Sequence, residues 1–166
     1  MYRYLDALSQ RLAMLSHCLG ALSALVMVGT LLLGVFYRYA LQNSLSWSDE
    51  VALLAASWTI FLFSSALVRR MEHVRVTLAL SLLPEALAGL LERINVFLIF
   101  LFGLAMVWTG YGFMDFTWNQ VSPAIRYPLW MKNAALPVGG VVICIHAITL
   151  LIRPSSLNEL RKQDNG

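Results

Sequence analysis

Charge is what this chain has least of. Only 13% of its 166 residues are charged, about half of the roughly 25% usual for a soluble domain. The shortage is concentrated. Residues 18–36, 51–68, 94–114 and 134–152 contain no Asp, Glu, Lys or Arg. A charge at mid-bilayer costs about 3 kcal/mol by insertion scales, and one that persists there usually has a task. A transporter that works alone normally carries ion or substrate ligands at that depth, so a substrate path inside this chain is not expected. Cysteine is scarce as well. Cys18 and Cys144 both lie inside apolar runs, where membrane disulfide exchange would want a pair on the oxidising side. They read as small buried hydrophobes. No glycine-rich phosphate loop, nucleophile elbow or zinc spacing is present. Nor is there a basic cluster of the kind that binds nucleic acid. Internal repeats and low-complexity linkers are also lacking.

Apolar residues fill the space that charge leaves. They make up 59% of the chain, and the mean hydropathy is +0.70. One small soluble core cannot absorb that much apolar surface, so the chain is an integral membrane protein with no length to spare for a large soluble domain. The four charge-free runs hold 18–21 residues each, and a bilayer core about 30 Å thick needs roughly 20 helical residues. Membrane strands alternate polar and apolar faces, whereas these runs are apolar on every face, and backbone groups in lipid must then bond within the segment. The expected fold is therefore all-α: a single membrane domain over residues 1–166 with four transmembrane helices. The first run is longer than a signal-peptide core and lacks a small-residue cleavage site, so it reads as a retained anchor.

Lysine and arginine set the expected orientation. With four spans both termini share a side. The terminal segments and the middle loop hold nine basic residues, against three (Arg38, Arg126 and Lys132) in the other two loops. The positive-inside rule then places both termini in the cytoplasm. The net charge of +3 is mostly this asymmetry and needs no nucleic acid. Tyr37, Tyr39, Trp47, Tyr111, Trp118, Tyr127 and Trp130 gather at the opposite helix ends, as an aromatic belt would.

Two shorter stretches are amphipathic. Leu5, Leu8, Leu12 and Leu15 form one stripe opposite Arg3, Asp6, Gln10 and Arg11, and Leu83, Leu87, Leu90, Leu91 and Ile94 form another behind Pro84. Residues 3–16 and 83–93 are expected either as interfacial helices or as plain extensions of the first and third spans. Residues 74–82 alternate with period two but lack a partner strand and stay unassigned. Gly20 with Ala24, and Ala52 with Ala56, give small residues four apart, a spacing that allows close helix packing. His17 and His146 both fall toward one end of the first and fourth spans. A pair of histidines in a four-helix bundle is a way to ligate haem, so a haem-bearing anchor of a redox enzyme stands as an alternative. The plainer reading is one boundary histidine and one helix-contact histidine. An independent four-helix membrane protein is a further alternative.

The more specific residues cluster at helix ends. Tyr37-Arg38-Tyr39 closes the first span, and Trp47-Ser48-Asp49-Glu50 opens the second. Trp58 and Phe61 follow, then Arg69-Arg70 and His73-Val74-Arg75. Ser122-Pro123 and Tyr127-Pro128-Leu129-Trp130 precede Pro137-Val138-Gly139. In this order and spacing, over about residues 12–153, the chain resembles the small membrane subunit of tripartite ATP-independent periplasmic (TRAP) transporters, the DctQ-like family. It departs at Phe63 and Met71, where the resemblance implies glycine, and at Thr77, where it implies aspartate.

The resemblance implies a noncatalytic subunit of the bacterial inner membrane that carries no cofactor. It would scaffold a large multi-span subunit holding the sodium and substrate sites, while a periplasmic solute-binding protein delivers an organic acid anion. Arg38, Trp47, Asp49, Glu50, Trp58, Arg69, Arg70, His73, Tyr127 and Trp130 would then anchor helix ends or subunit interfaces, among membrane lipids. Arg126 and Lys132 would touch the binding protein. Asp49 and Glu50 suit the positive end of the second helix dipole, and Arg69 and Arg70 the negative end. A pairing of the acidic residues with Arg38 across the outer loop is also expected.

Overall fold

The apolar runs form helices, as a backbone without water requires. The computed structural model describes residues 2–70 and 85–152. Helix α1 spans Tyr2–Ala40, α2 Ser48–Arg70 and α3 Glu85–Phe116. The single turn α4, Trp130–Asn133, leads into α5, Ala135–Ile152. Among the described residues, four helical segments are long and apolar enough to cross a membrane: Tyr4–Ala40, Ser48–Arg69, Gly89–Phe116 and Trp130–Ile152. Each contains one of the expected spans.

Residues 3–16 run into the first span without a break, so α1 is one helix of 39 residues. The described part of the second amphipathic stretch, from Glu85, likewise continues into α3. In both, the described residues are helix continuous with the apolar run that follows. Leu83, Pro84 and residues 74–82 lie outside the described residues, as do His73, Met71 and Thr77.

Local signals end the helices. The Asn43 amide donates to the Tyr37 carbonyl at 3.1 Å, while Gln42 takes a left-handed φ of 52°. That bond reaches back over the last turn and a half and, with Gln42 in a left-handed conformation where glycine is commoner, ends α1. Ser48 opens α2. It is buried, its hydroxyl donates to the Leu45 carbonyl at 2.9 Å, and it sits in the space left by the missing side chain of Gly34. Pro137 lies in the first turn of α5, where its absent N–H is no loss.

The helices pack in the order α1–α2–α5–α3. α5 is the centre. Gly139, Gly140, Ile143, Cys144, His146, Ala147 and Thr149 are all buried on it. Gly139 lets it approach Phe61 of α2, and Gly140 faces Gly103 of α3. α3 packs on α5 and α4, whereas α1 packs mainly on α2. The outer helices are consequently bare: 11% of the α1 window and 12% of the α3 window are buried, against 44% for the segment containing α5.

Small residues, not leucines, make the inward face of α1. Ser9, Ser16, Gly20 and Thr30 are buried, while Leu8, Leu15, Leu19 and Leu22 are exposed. Lipid chains are as apolar as leucine, so close van der Waals packing of small residues is what draws membrane helices together. Phe63 uses one such space. Its ring lies against Gly20 of α1 and meets His17 edge-on at 5.4 Å, so a large residue on α2 is matched by a missing side chain on α1. Cys144 is buried as expected, but Cys18 is exposed on the surface of the chain.

Candidate functional site: polar clusters at the two ends of the helices

Polar side chains inside an apolar fold must find partners, because an unpaired buried polar group costs about 1–3 kcal/mol. Here they gather at two ends. The hairpin end carries the connections from α1 to α2 and from α3 to α4. The terminal end carries the start of α1 and the ends of α2 and α5.

At the hairpin end, Glu50 organises the loop after α3. The Ala124 amide donates to Oε1 at 2.7 Å, and the Ile125 amide and Ser122 hydroxyl donate to Oε2 at 2.9 and 2.7 Å. The loop is a small hairpin, with Val121 bridged to Pro128, the Ser122 amide bonded to the Tyr127 carbonyl, and Leu129 bonded back to Gln120. Arg126 turns it with a φ of 62°. Glu50 precedes the apolar run of α2. The Ile125 amide, ahead of the Ala124 amide and the Ser122 hydroxyl, holds its carboxyl below the usual 4.5 despite opposing desolvation. Burial, then the Glu50 charge, pushes the Tyr127 hydroxyl up. The expected link from Glu50 to Arg38 is absent: Arg38 is exposed at the end of α1, and the loop amides satisfy the carboxylate instead.

A depressed carboxyl pKa stabilises the folded loop above the unfolded value, and that contribution is lost as pH falls through the folded one. Hydrogen exchange at Ala124 and Ile125 is expected to be protected at neutral pH, with protection falling below pH 4.5. In Glu50→Gln the protection should be several-fold weaker and its acid step absent. Equal protection and an unchanged pH profile in the variant would reject the clamp.

Other side chains brace the same end. The Trp58 indole N–H donates to the Met131 carbonyl at 3.1 Å, and the buried Asn133 amide donates to the Thr117 hydroxyl at 2.7 Å. Trp130 stacks on Trp118, with centroids 5.4 Å apart. Trp47 and Asp49 are exposed, Tyr127 and Lys132 half-buried, and Arg126 exposed.

At the terminal end, Arg69 reaches from the last turn of α2 to α1. Its Nη2 donates to Asp6 Oδ1 at 2.9 Å, which is the one ion pair among the described residues. Its Nη1 donates to the Ser9 hydroxyl. Ser9 Oγ in turn lies 2.7 Å from His146 Nδ1 on α5, with both residues fully buried. The side chain of Arg70 lies outside what the structure describes. Asp6 and Ser9 were not singled out in the sequence, because they pass for the polar side of an amphipathic helix. The small-residue spacing Ser9–Ser16–Gly20 was the available signal.

The two histidines of the haem alternative do not share a site. His17 lies against Phe63, while His146 meets α1 at Ser9, eight residues and about 12 Å of helix away. A comparison with curated proteins finds no match. The family model for the DctQ component of tripartite ATP-independent periplasmic transporters matches residues 27–156. With four apolar helices in place and that match covering most of the chain, it belongs to the DctQ family, the small component of a tripartite transporter and not an enzyme.

Proposed function

We propose that this chain scaffolds the large membrane subunit of a TRAP transporter for sodium-coupled uptake of an organic acid anion, delivered by a periplasmic solute-binding protein. The chain lies in the bacterial inner membrane with both termini cytoplasmic, so the terminal end faces inward and the hairpin end faces the periplasm. The observation that carries the reading is the open helix order of a DctQ component. Both outer helices leave long apolar faces uncovered, including Phe97, Leu101, Trp108 and Tyr111 on α3. A partner spanning the same bilayer covers part of that surface, and lipid covers the rest.

The candidate residues divide by where their polar groups go. Glu50, Trp58 and Arg69 bond within the chain and brace the scaffold. Arg38, Trp47 and Asp49 face outward and are assigned, with Arg70 and His73, to contacts with the large subunit or lipid headgroups. Tyr127 and Trp130 anchor the hairpin end. Arg126 turns the braced hairpin, Lys132 follows it, and both are assigned to the binding protein. A loop held in advance loses little freedom on docking, which favours association.

The test is a mild-detergent pull-down of the tagged chain from its native host, with quantitative mass spectrometry. A large polytopic membrane protein recovered in near-equal amount is expected. Recovery of a redox subunit, or of no stoichiometric partner with the fold intact, overturns the proposal.

A further inference from the structure

The cluster at the terminal end fixes a proton. Arginine has only donors, so its bond to Ser9 occupies an oxygen lone pair of that hydroxyl. The Ser9 proton must then find an acceptor, because the residue is fully buried. Other buried or partly buried hydroxyls in this fold, those of Thr30, Thr59, Ser65 and Thr149, donate to a carbonyl one turn back. Ser9 makes no such bond among the described residues. The acceptor within reach is His146 Nδ1, at 2.7 Å. A neutral imidazole that accepts at Nδ1 carries its proton on Nε2.

From this geometry we infer that Asp6, Arg69 and Ser9 form a directed hydrogen-bond relay that fixes His146 as the neutral, Nε2-protonated tautomer and latches the start of α1 across α2 and α5. Each member has one part. Asp6 holds the guanidinium in place, three residues from Ser9 on the same helix face. Arg69 occupies the Ser9 lone pair and so turns the hydroxyl proton toward α5. Ser9 is the positioning residue that transmits this to the ring. His146 Nε2 is buried with no partner among the described residues, so its proton stays where the relay puts it. Neither ring nitrogen then offers a free lone pair to a metal. α1 has few other contacts with α5, so the relay joins two elements that are otherwise poorly tied.

The test is nitrogen NMR of the chain labelled at its three histidines and held in lipid nanodiscs at neutral pH. Loss of one signal set in His146→Gln assigns the ring. The expected wild-type pattern is a pyridine-type Nδ1 and a pyrrole-type Nε2 whose proton exchanges slowly with water. Ser9→Ala should shift the Nδ1 signal toward that of a free pyridine-type nitrogen or mix the two tautomers. It should also reduce amide protection over residues 5–16. Ser9→Thr, which keeps the hydroxyl, should restore the wild-type pattern. A ring protonated on Nδ1, or on both nitrogens, in the wild-type chain overturns the relay. An unchanged His146 spectrum in folded Ser9→Ala overturns it too.

Discussion

Gly140→Val is expected to prise α3 off α5 and to be among the most damaging single changes in the chain. A Cβ at Gly140 would lie 2.9 Å from the Gly103 carbonyl oxygen and 3.0 Å from Met106 Cβ and Val107 Cγ2. The nearest of these atoms is backbone and cannot swing aside. The crossing is reciprocal, since a Cβ at Gly103 would lie 3.2 Å from the Gly140 carbonyl and 2.7 Å from Cys144 Sγ. Overpacking a tight contact costs about 1–3 kcal/mol, and valine adds three carbons where even one does not fit, so the upper end is expected. Because α3 has no other long helix to pack on, the loss should appear as detachment of that helix and not as a general loosening. Unfolding in mixed detergent micelles measures the stability, and accessibility of an engineered cysteine on the buried face of α3 reports the detachment. Gly29 and Gly112 provide the contrast. A Cβ at either meets nothing within 4 Å, and replacing an interior helical glycine with alanine gains roughly 0.5–1 kcal/mol. A Gly140→Val protein as stable as wild type would show that the helices do not cross this closely.

Arg69→Ala should cost about 2–3 kcal/mol in the same unfolding measurement. Removing one member of a buried ion pair usually costs about 3–5 kcal/mol, because the other charge is left uncompensated. The Arg69 side chain is 19% exposed and that of Asp6 42%. Water therefore takes over part of the solvation of the carboxylate, which lowers the expected figure. The variant also deprives Ser9 of its donor. Asp6→Asn should be milder, about 1 kcal/mol, since Arg69 keeps its bond to Ser9, the asparagine oxygen can still accept from the guanidinium, and the pair is partly solvated. The double variant should cost less than the sum of the two single ones, as residues sharing one network do. Strict additivity would mean that Asp6 and Arg69 do not interact.

These two variants probe contacts of different legibility. Gly139 belonged to a motif read from the sequence, but Gly103 did not, and nothing in either local sequence pairs Gly103 with Gly140. Arg69 stands at the end of α2, as its place after the apolar run implies, yet its partners lie 60 and 63 positions away. The leucine stripe of residues 5–15 was legible as amphipathic, but which of its sides faces protein depends on the solvent. In water the leucines would turn inward. In lipid they turn outward, and the serines and glycines pack.

The sequence by itself determined that the chain is a four-helix membrane protein and where its apolar runs begin and end. Hydrophobic length and the need to satisfy the backbone are properties of each segment alone. Helix-end order and spacing were likewise enough to recognise the family. Only the tertiary structure decided that α5 sits at the centre, that Glu50 serves the loop at residues 122–125 instead of Arg38, and that Asp6, Arg69, Ser9 and His146 meet. Those outcomes depend on which small-residue faces allow helices to approach, and on which distant donors then reach a buried acceptor. Such choices are made between segments, so no single segment records them.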